Sequence, residues 1–277
     1  MPSLGAVPMS FVLLIASVAL AGIVGWIVAR MSGKPAPRLF ATLLDMLLIG
    51  LVAARLAFVL RYASLYLSDP WSILRPGDGG YEIWAGVIAG LLFGAWRVSR
   101  NETLKVPLAS GAFAGLAAWA ILANSMTQLE RAEIRLPDTR LATVDGQEIQ
   151  LSAFSGRPSV INLWATWCPP CRREMPVLAE AQRTNAGVEF VFVNQGEAAD
   201  VIENYLRKEA IQLRNVVVDP ASSVSQSTGA RGLPTTLFFD GSGRLTGTHM
   251  GELTRASLAH KLKQIGNGSR SAKEIHR

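Results

Sequence analysis

The stretch WATWCPPC, Trp164 to Cys171, holds both cysteines of a 277-residue chain. It continues a short, mostly apolar run, SVINLW (Ser159–Trp164), of the kind that forms a buried central strand. It leads into Arg172–Arg183, where Met175, Leu178 and Ala181 recur at the three-residue spacing of a helix face. Cys168 therefore falls at the start of a helix. Free N–H groups and the helix dipole favour a thiolate there, and only the thiolate attacks a disulfide. With two residues between them, the second thiol can displace the mixed disulfide. The spacing assigns Cys168 as nucleophile and Cys171 as the more buried resolving thiol. Pro169 suits the first helical turn because its missing N–H has no helix partner to lose, and Pro170 completes the spacer. Trp167 is expected to cover the exposed side of the pair.

Working outward, Val188–Asn194 (VEFVFVN) reads as a second strand and Ala198–Glu209, with Val201, Ile202 and Tyr205 on one side, as a helix. Leu213–Val218 is strand-like. Thr235–Phe239 and Arg244–His249, joined by a turn at Asp240–Gly243, read as a hairpin. Thr254–Ile265 closes the domain as a helix, with Leu258 and Leu262 four apart. Strands alternating with helices and ending in a hairpin predict an α/β domain with a mixed central sheet. The polar segment 266–277 is expected to be a disordered tail.

Composition narrows the chemistry. Two cysteines exclude a stapled secreted scaffold and fit a reactive pair. A structural zinc site normally takes four ligands, and His249, His260 and His276 are not at finger spacing. No metal and no cofactor are expected. The net charge of +6 has no dense basic run beside aromatics, so it is assigned to membrane-flanking residues and the tail, with no nucleic-acid partner.

The chain is 49% hydrophobic and only 17% charged, too apolar for an ordinary soluble protein. Val7–Ala29 and Leu39–Leu60 have the length of membrane spans; Tyr81–Trp96 and Val106–Leu122 are shorter but similar in character. No basic residue precedes the first run, which is longer than a signal-peptide core, so it reads as a retained helix. Arg30, Lys34 and Arg38 follow span one; Arg97, Arg100 and Lys105 follow span three, with Glu102 the only acid. The second loop balances Arg61 and Arg75 against Asp69 and Asp78. Cations mark loops one and three as cytoplasmic. Four spans then put both termini, and all that follows Ser125, on the outer side: a multi-pass protein of the bacterial inner membrane with its C-terminal domain in the periplasm.

Phe154–Pro176 (FSGRPSVINLWATWCPPCRREMP) resembles the active-site region of membrane-anchored periplasmic thioredoxins of the TlpA/ResA and cytochrome-c-maturation type, and GLPTT (Gly232–Thr236) resembles their later loop. The resemblance covers about Ile134–Ile265. It implies a thioredoxin-like fold, a cis Pro234 facing the cysteines, and a Leu233 backbone that pairs with an extended substrate. It implies a thiol:disulfide oxidoreductase acting on periplasmic proteins as a reductant, with thiol oxidation, isomerisation or simple client binding as alternatives. Where many thioredoxins carry an aspartate before the active site, this chain has Asn162, which cannot act as a base. Glu174 is a candidate for the proton step, against its commoner reading as a solvated carboxylate in the first turns of a helix.

Ala54–Gly94 resembles part of prolipoprotein diacylglyceryl transferase, through the Ala-Arg-Leu stretch, the aromatic loop and the Gly79-Gly80 pair before a small-residue helix. The similarity runs through roughly the first 120 residues. That enzyme has more spans and a histidine where this chain has Trp84, so transferase activity is not expected. Asp45 and Arg55 are costly in a bilayer unless they meet polar protein or lipid headgroups, which makes them candidates for such contacts. The expected organisation is a four-helix transmembrane domain (1–125), a periplasmic thioredoxin-like domain (131–265) and the tail. No cysteine lies in the membrane segments, so the pair needs an external redox partner. The resemblance implies a DsbD/CcdA-like transporter for a reductant or a DsbB-like oxidase for an oxidant.

Overall fold

The computed structural model describes residues 3–4, 7–33 and 38–275. Lys34, one of the loop cations, lies outside the described residues, as do His276 and Arg277 at the end of the tail. The chain divides into two compact units: Pro2–Leu67 with Gly80–Leu129, and Ser68–Gly79 with Met1 and Glu130–Arg277.

The first unit opens with a two-stranded ladder, β1 (Ser3–Leu4) on β2 (Val7–Pro8), and continues in helices α1 (Met9–Met31), α2 (Leu39–Arg61), α3 (Ala63–Tyr66), α4 (Ile83–Arg100) and the start of α5 (Lys105–Glu133). Among the described residues three stretches are long and apolar enough to cross a membrane: Val12–Met31, Leu39–Arg61 and Glu102–Ser125. The third expected span, Tyr81–Trp96, is helical as α4, but α4 has 18 residues and carries Arg97 and Arg100 in its last turn. It does not reach the same standard. α2 and α4 meet through glycines: a Cβ on Gly86 would stand 2.7 Å from the Gly50 carbonyl oxygen. Small residues let helix backbones approach this closely, so dispersion contacts replace the hydrophobic effect that lipid cannot supply.

The second unit is built on a seven-stranded mixed sheet. Its strands are β3 (Arg140–Thr143), β4 (Glu148–Gln150), β5 (Ser159–Trp164), β6 (Glu189–Gln195), β7 (Val216–Asp219), β8 (Thr235–Phe239) and β9 (Leu245–Met250), in the spatial order β4-β3-β7-β6-β5-β8-β9. β5, β6 and β7 run parallel; β8, β9, β3 and β4 join antiparallel. Helices α6 (Pro169–Thr184), α7 (Ala199–Lys208), α8 (Ser223–Thr228) and α9 (Arg255–Ile275) complete it. Strand periodicity sorts the core. Val160, Trp164, Phe190, Phe192 and Phe238 pack with Met175, Leu178 and Leu258, while Ile161, Leu163, Val191, Val193, Leu237 and Phe239 pack with Leu151 and Val224. Asn162 stands on the same face as Val160 and Trp164, toward α6.

Three differences from the sequence reading have physical causes. The β3–β4 hairpin, turning at Gly146 with φ +83°, has a mostly exposed three-residue strand β4 without a continuous apolar run. α8 spans six residues, too short for a periodic signal. α9 runs past Ile265 to Ile275, so the segment expected to be a disordered tail is helical to that point.

Candidate active site

β5 ends at Trp164 and α6 begins at Pro169, and Cys168 is the N-cap between them. The Cys168 sulfur accepts a hydrogen bond from the Cys171 backbone N–H at 3.3 Å, which partners one of the free donors of the first turn. Pro169 and Pro170 occupy the first two helical positions, where no donor is lost. Cys168 and Cys171 are joined in a disulfide, with their Cα atoms 5.3 Å apart. Both are buried, Cys171 fully and Cys168 nearly so. Trp167 is 68% exposed beside them. The Leu233–Pro234 peptide bond, on the loop before β8, is cis.

Glu174 lies on α6, three residues after Cys171. It is fully buried, which overturns its reading as a solvated helix residue. Asn162 Nδ2 donates to Glu174 Oε1 at 2.8 Å, and the Leu253 N–H donates to Oε2 at 2.9 Å. Asn162 Nδ2 also reaches Thr236 Oγ1 at 3.0 Å, tying β5, α6 and β8 together. Burial raises the Glu174 carboxyl from 4.5 to about 8; the Leu253 and Asn162 hydrogen bonds oppose that rise, and the nearby Glu252 adds to it. Asn162, which does not titrate, holds the carboxyl in place through its amide N–H.

Sequence reasoning missed Glu197. Its carboxylate accepts from the Thr166 N–H at 2.7 Å, from Thr166 Oγ1 and from Asn194 Nδ2 at 2.8 Å. Glu197 thus braces the turn between Trp164 and Cys168. Its one sequence signal is an acid following a glycine just after a strand (NQGE). His249 was weighed only as a zinc ligand. It is buried on β9, and burial, with the nearby Lys261, lowers it from 6.5 to about 4, so it is neutral.

In the other unit, Arg55 donates from Nη1 to the Gly80 carbonyl at 2.9 Å, and its guanidinium lies 5.6 Å from the Tyr66 ring and 5.7 Å from that of Tyr81. Asp45 is half-buried on α2. Trp84 is 77% exposed at the start of α4.

A disulfide-forming pair capping the helix that follows a central strand, on a mixed sheet with a cis-proline loop, defines the thioredoxin-like class of thiol–disulfide oxidoreductases. The Redoxin family model matches residues 131–262, and the model of prolipoprotein diacylglyceryl transferase matches residues 9–125. The thiol-disulfide oxidoreductase ResA of Geobacillus thermodenitrificans is 30% identical, over 53% of this chain and 86% of its own. The thiol:disulfide interchange protein DsbE homolog of Paracoccus denitrificans is 31% identical, over 60% of this chain and 92% of its own. A solved thioredoxin-family thiol:disulfide interchange protein from Chlorobium tepidum TLS aligns with 48% of this chain and 99% of its own, at 28% identity and a TM-score of 0.41. The chain belongs to the ResA/DsbE family of thiol-disulfide oxidoreductases, here carried on a membrane-anchoring region that resembles the transferase.

Proposed function

We propose that this protein reduces disulfides of proteins on the outer side of a bacterial cytoplasmic membrane. The observation that carries the reading is the placement of Cys168 at the N-cap of α6, where the Cys171 N–H meets its sulfur. In the reduced enzyme the same N–H and the helix dipole stabilise the Cys168 thiolate. That thiolate attacks one sulfur of a substrate disulfide; an S–S bond forms to the enzyme, and the other substrate sulfur leaves as a thiolate. The Cys171 thiol gives its proton to the Glu174 carboxylate and attacks Cys168. The second substrate sulfur leaves, and the Cys168–Cys171 disulfide remains. Two electrons pass from the enzyme to the substrate, whose two departing thiolates take up the proton held by Glu174 and one from solvent.

Leu233, which packs against the core cluster holding both cysteines, offers its backbone to an extended substrate strand just before the cis bond to Pro234. Exposed Trp167 supplies an apolar docking surface beside Cys168. Because the membrane helices contain no cysteine, an external membrane donor of the DsbD/CcdA kind returns the pair to the dithiol state.

The composition of the second unit supports a four-span topology. Ser68–Gly79 and Glu130–Arg277 share one compact unit, which favours their lying on one side of the membrane with an even number of crossings between them. α5 has the length and composition of a span, and in this reading α4 crosses with it. The cation bias of loops one and three puts that shared side outside.

Insulin reduction by the full chain tests the assignment: wild type turns over and Cys168→Ser does not, and equal rates would remove the redox reading. Cys171→Ala, expressed in cells, is expected to trap clients and donor as mixed disulfides through Cys168.

A further inference from the structure

The second unit contains a segment distant in sequence from the rest of it, Ser68–Gly79, which joins the second and third hydrophobic runs. Its Arg75 pairs with Glu252 Oε1 at 2.5 Å, and Glu252 Oε2 receives Arg173 Nε of α6 at 2.7 Å. Its Asp78 is only 2% exposed and accepts from Thr254 Oγ1 at 3.1 Å. A Cβ on Gly79 would stand 3.4 Å from the His249 ring, and one on Gly251 3.5 Å from the Gly77 carbonyl. Every one of these contacts falls on residues 249–254, the stretch running from the end of β9 to the start of α9.

That stretch also donates backbone hydrogen bonds to two residues of the candidate site, and its Leu253 shares the core cluster of Cys168 and Cys171. The Gly251 N–H donates to the Pro234 carbonyl at 2.9 Å, and the Leu253 N–H donates to Glu174 Oε2 at 2.9 Å. Glu252, between them, is held from one side by Arg75 and from the other by Arg173. We propose that Ser68–Gly79 is a strap on the active site, in which Arg75 and Asp78 are positioning residues: by fixing Glu252 and Thr254 they set the backbone that carries Pro234 and Glu174. The strap belongs to the chain's membrane-anchoring half in sequence, so an isolated thioredoxin-like domain lacks it. The proposal rests on the redox reading of Cys168 and Cys171.

Charge gives the strap a readout that mere folding would not move. Among the described residues the charged group acting on Glu174 is Glu252; Asn162 and the Leu253 N–H are its neutral partners. Glu252 itself faces Arg75 and Arg173, while His249 faces Lys261 and Asp78. Removing the Arg75 cation leaves the Glu252 charge less compensated, which disfavours ionisation of both Glu174 and the thiols. Glu252→Gln acts in the opposite sense.

The test is the pH profile of alkylation of the reduced full-length protein in detergent, for wild type, Arg75→Gln, Arg75→Lys and Glu252→Gln. Arg75→Gln is expected to raise the pH midpoint by about half a unit or more, Arg75→Lys to return it to the wild-type value, and Glu252→Gln to lower it. An Arg75→Gln midpoint equal to wild type overturns the proposal, even if that variant melts earlier. Should Arg75→Gln not fold, Glu252→Gln decides alone, and an unchanged midpoint counts against the strap. Alkylation needs no turnover, so failure of the reductase assignment would show separately, in the insulin assay.

Discussion

Asn162 and Glu174 form a buried amide–carboxyl pair, Nδ2 to Oε1 at 2.8 Å, in the layer between β5 and α6. The amide supplies a hydrogen bond without competing for the proton. Glu174 alone is left to titrate, raised to about 8 by burial. It lies three residues after Cys171 on α6, on the side of the helix that the resolving thiol occupies.

Replacing Glu174 by Gln keeps the shape and removes the exchangeable proton. Release of a trapped mixed disulfide at pH 7 is expected to slow about 100-fold, the usual scale of general acid–base help, while capture by Cys168 is little changed. Stopped-flow reduction of a model disulfide separates the two steps.

The same carboxyl links stability to pH. Its folded value, about 8, exceeds the unfolded 4.5, so the native state binds the proton more tightly. Its stabilisation is complete below 4.5 and is lost as pH rises through 8. Thermal unfolding of the wild-type chain is expected to show that decline, and Glu174→Gln to lack it.

Asn162→Asp restores the residue that many thioredoxins carry here, and the outcome is expected to be harmful. Two carboxyls at hydrogen-bond distance cannot both ionise in a buried layer and titrate as a pair. Melting temperature should fall more at pH 8 than at pH 5, and the pH–rate profile should acquire a second step.

His249 has the opposite linkage. Its folded value, about 4, lies below the usual 6.5, so its contribution is present above 6.5 and is lost as pH falls through 4. Acid unfolding should start at higher pH in the wild type than in His249→Gln.

Glu197→Ala is expected to strand the Thr166 N–H and the Asn194 amide, costing about 1–3 kcal/mol and lowering the melting temperature. Glu197→Gln, which retains an acceptor, should recover part of the loss. A smaller fall in insulin reduction would accompany it as the turn before Cys168 loosens.

Much of the thioredoxin-like unit was readable along the chain. β5 and β8 carry their signals in short, mostly apolar or β-prone runs, Ser159–Trp164 and Thr235–Phe239, which match the observed strands end to end. β3 and β4 were not read, although Asp145-Gly146 between alternating residues is a hairpin signal; β4 is mostly exposed and offers little apolar contrast. Tyr81–Trp96 was read as a span and is helical as α4, but it is not among the stretches long and apolar enough to cross, since Arg97 and Arg100 dilute a short apolar run.

The sequence by itself determined the chemistry: two cysteines at one spacing, at a strand-to-helix junction, leave a dithiol–disulfide pair as the reactive group, because the motif, the helix start and the absence of other thiols are all local. Only the tertiary structure decided what surrounds that pair. Whether Glu174 is wet or buried, whether Asn162 reaches it, and whether Arg75 meets Glu252 depend on residues 12 to 177 positions apart in the chain being brought within hydrogen-bond distance. Burial and charge proximity are properties of the packed core, and no local pattern encodes them.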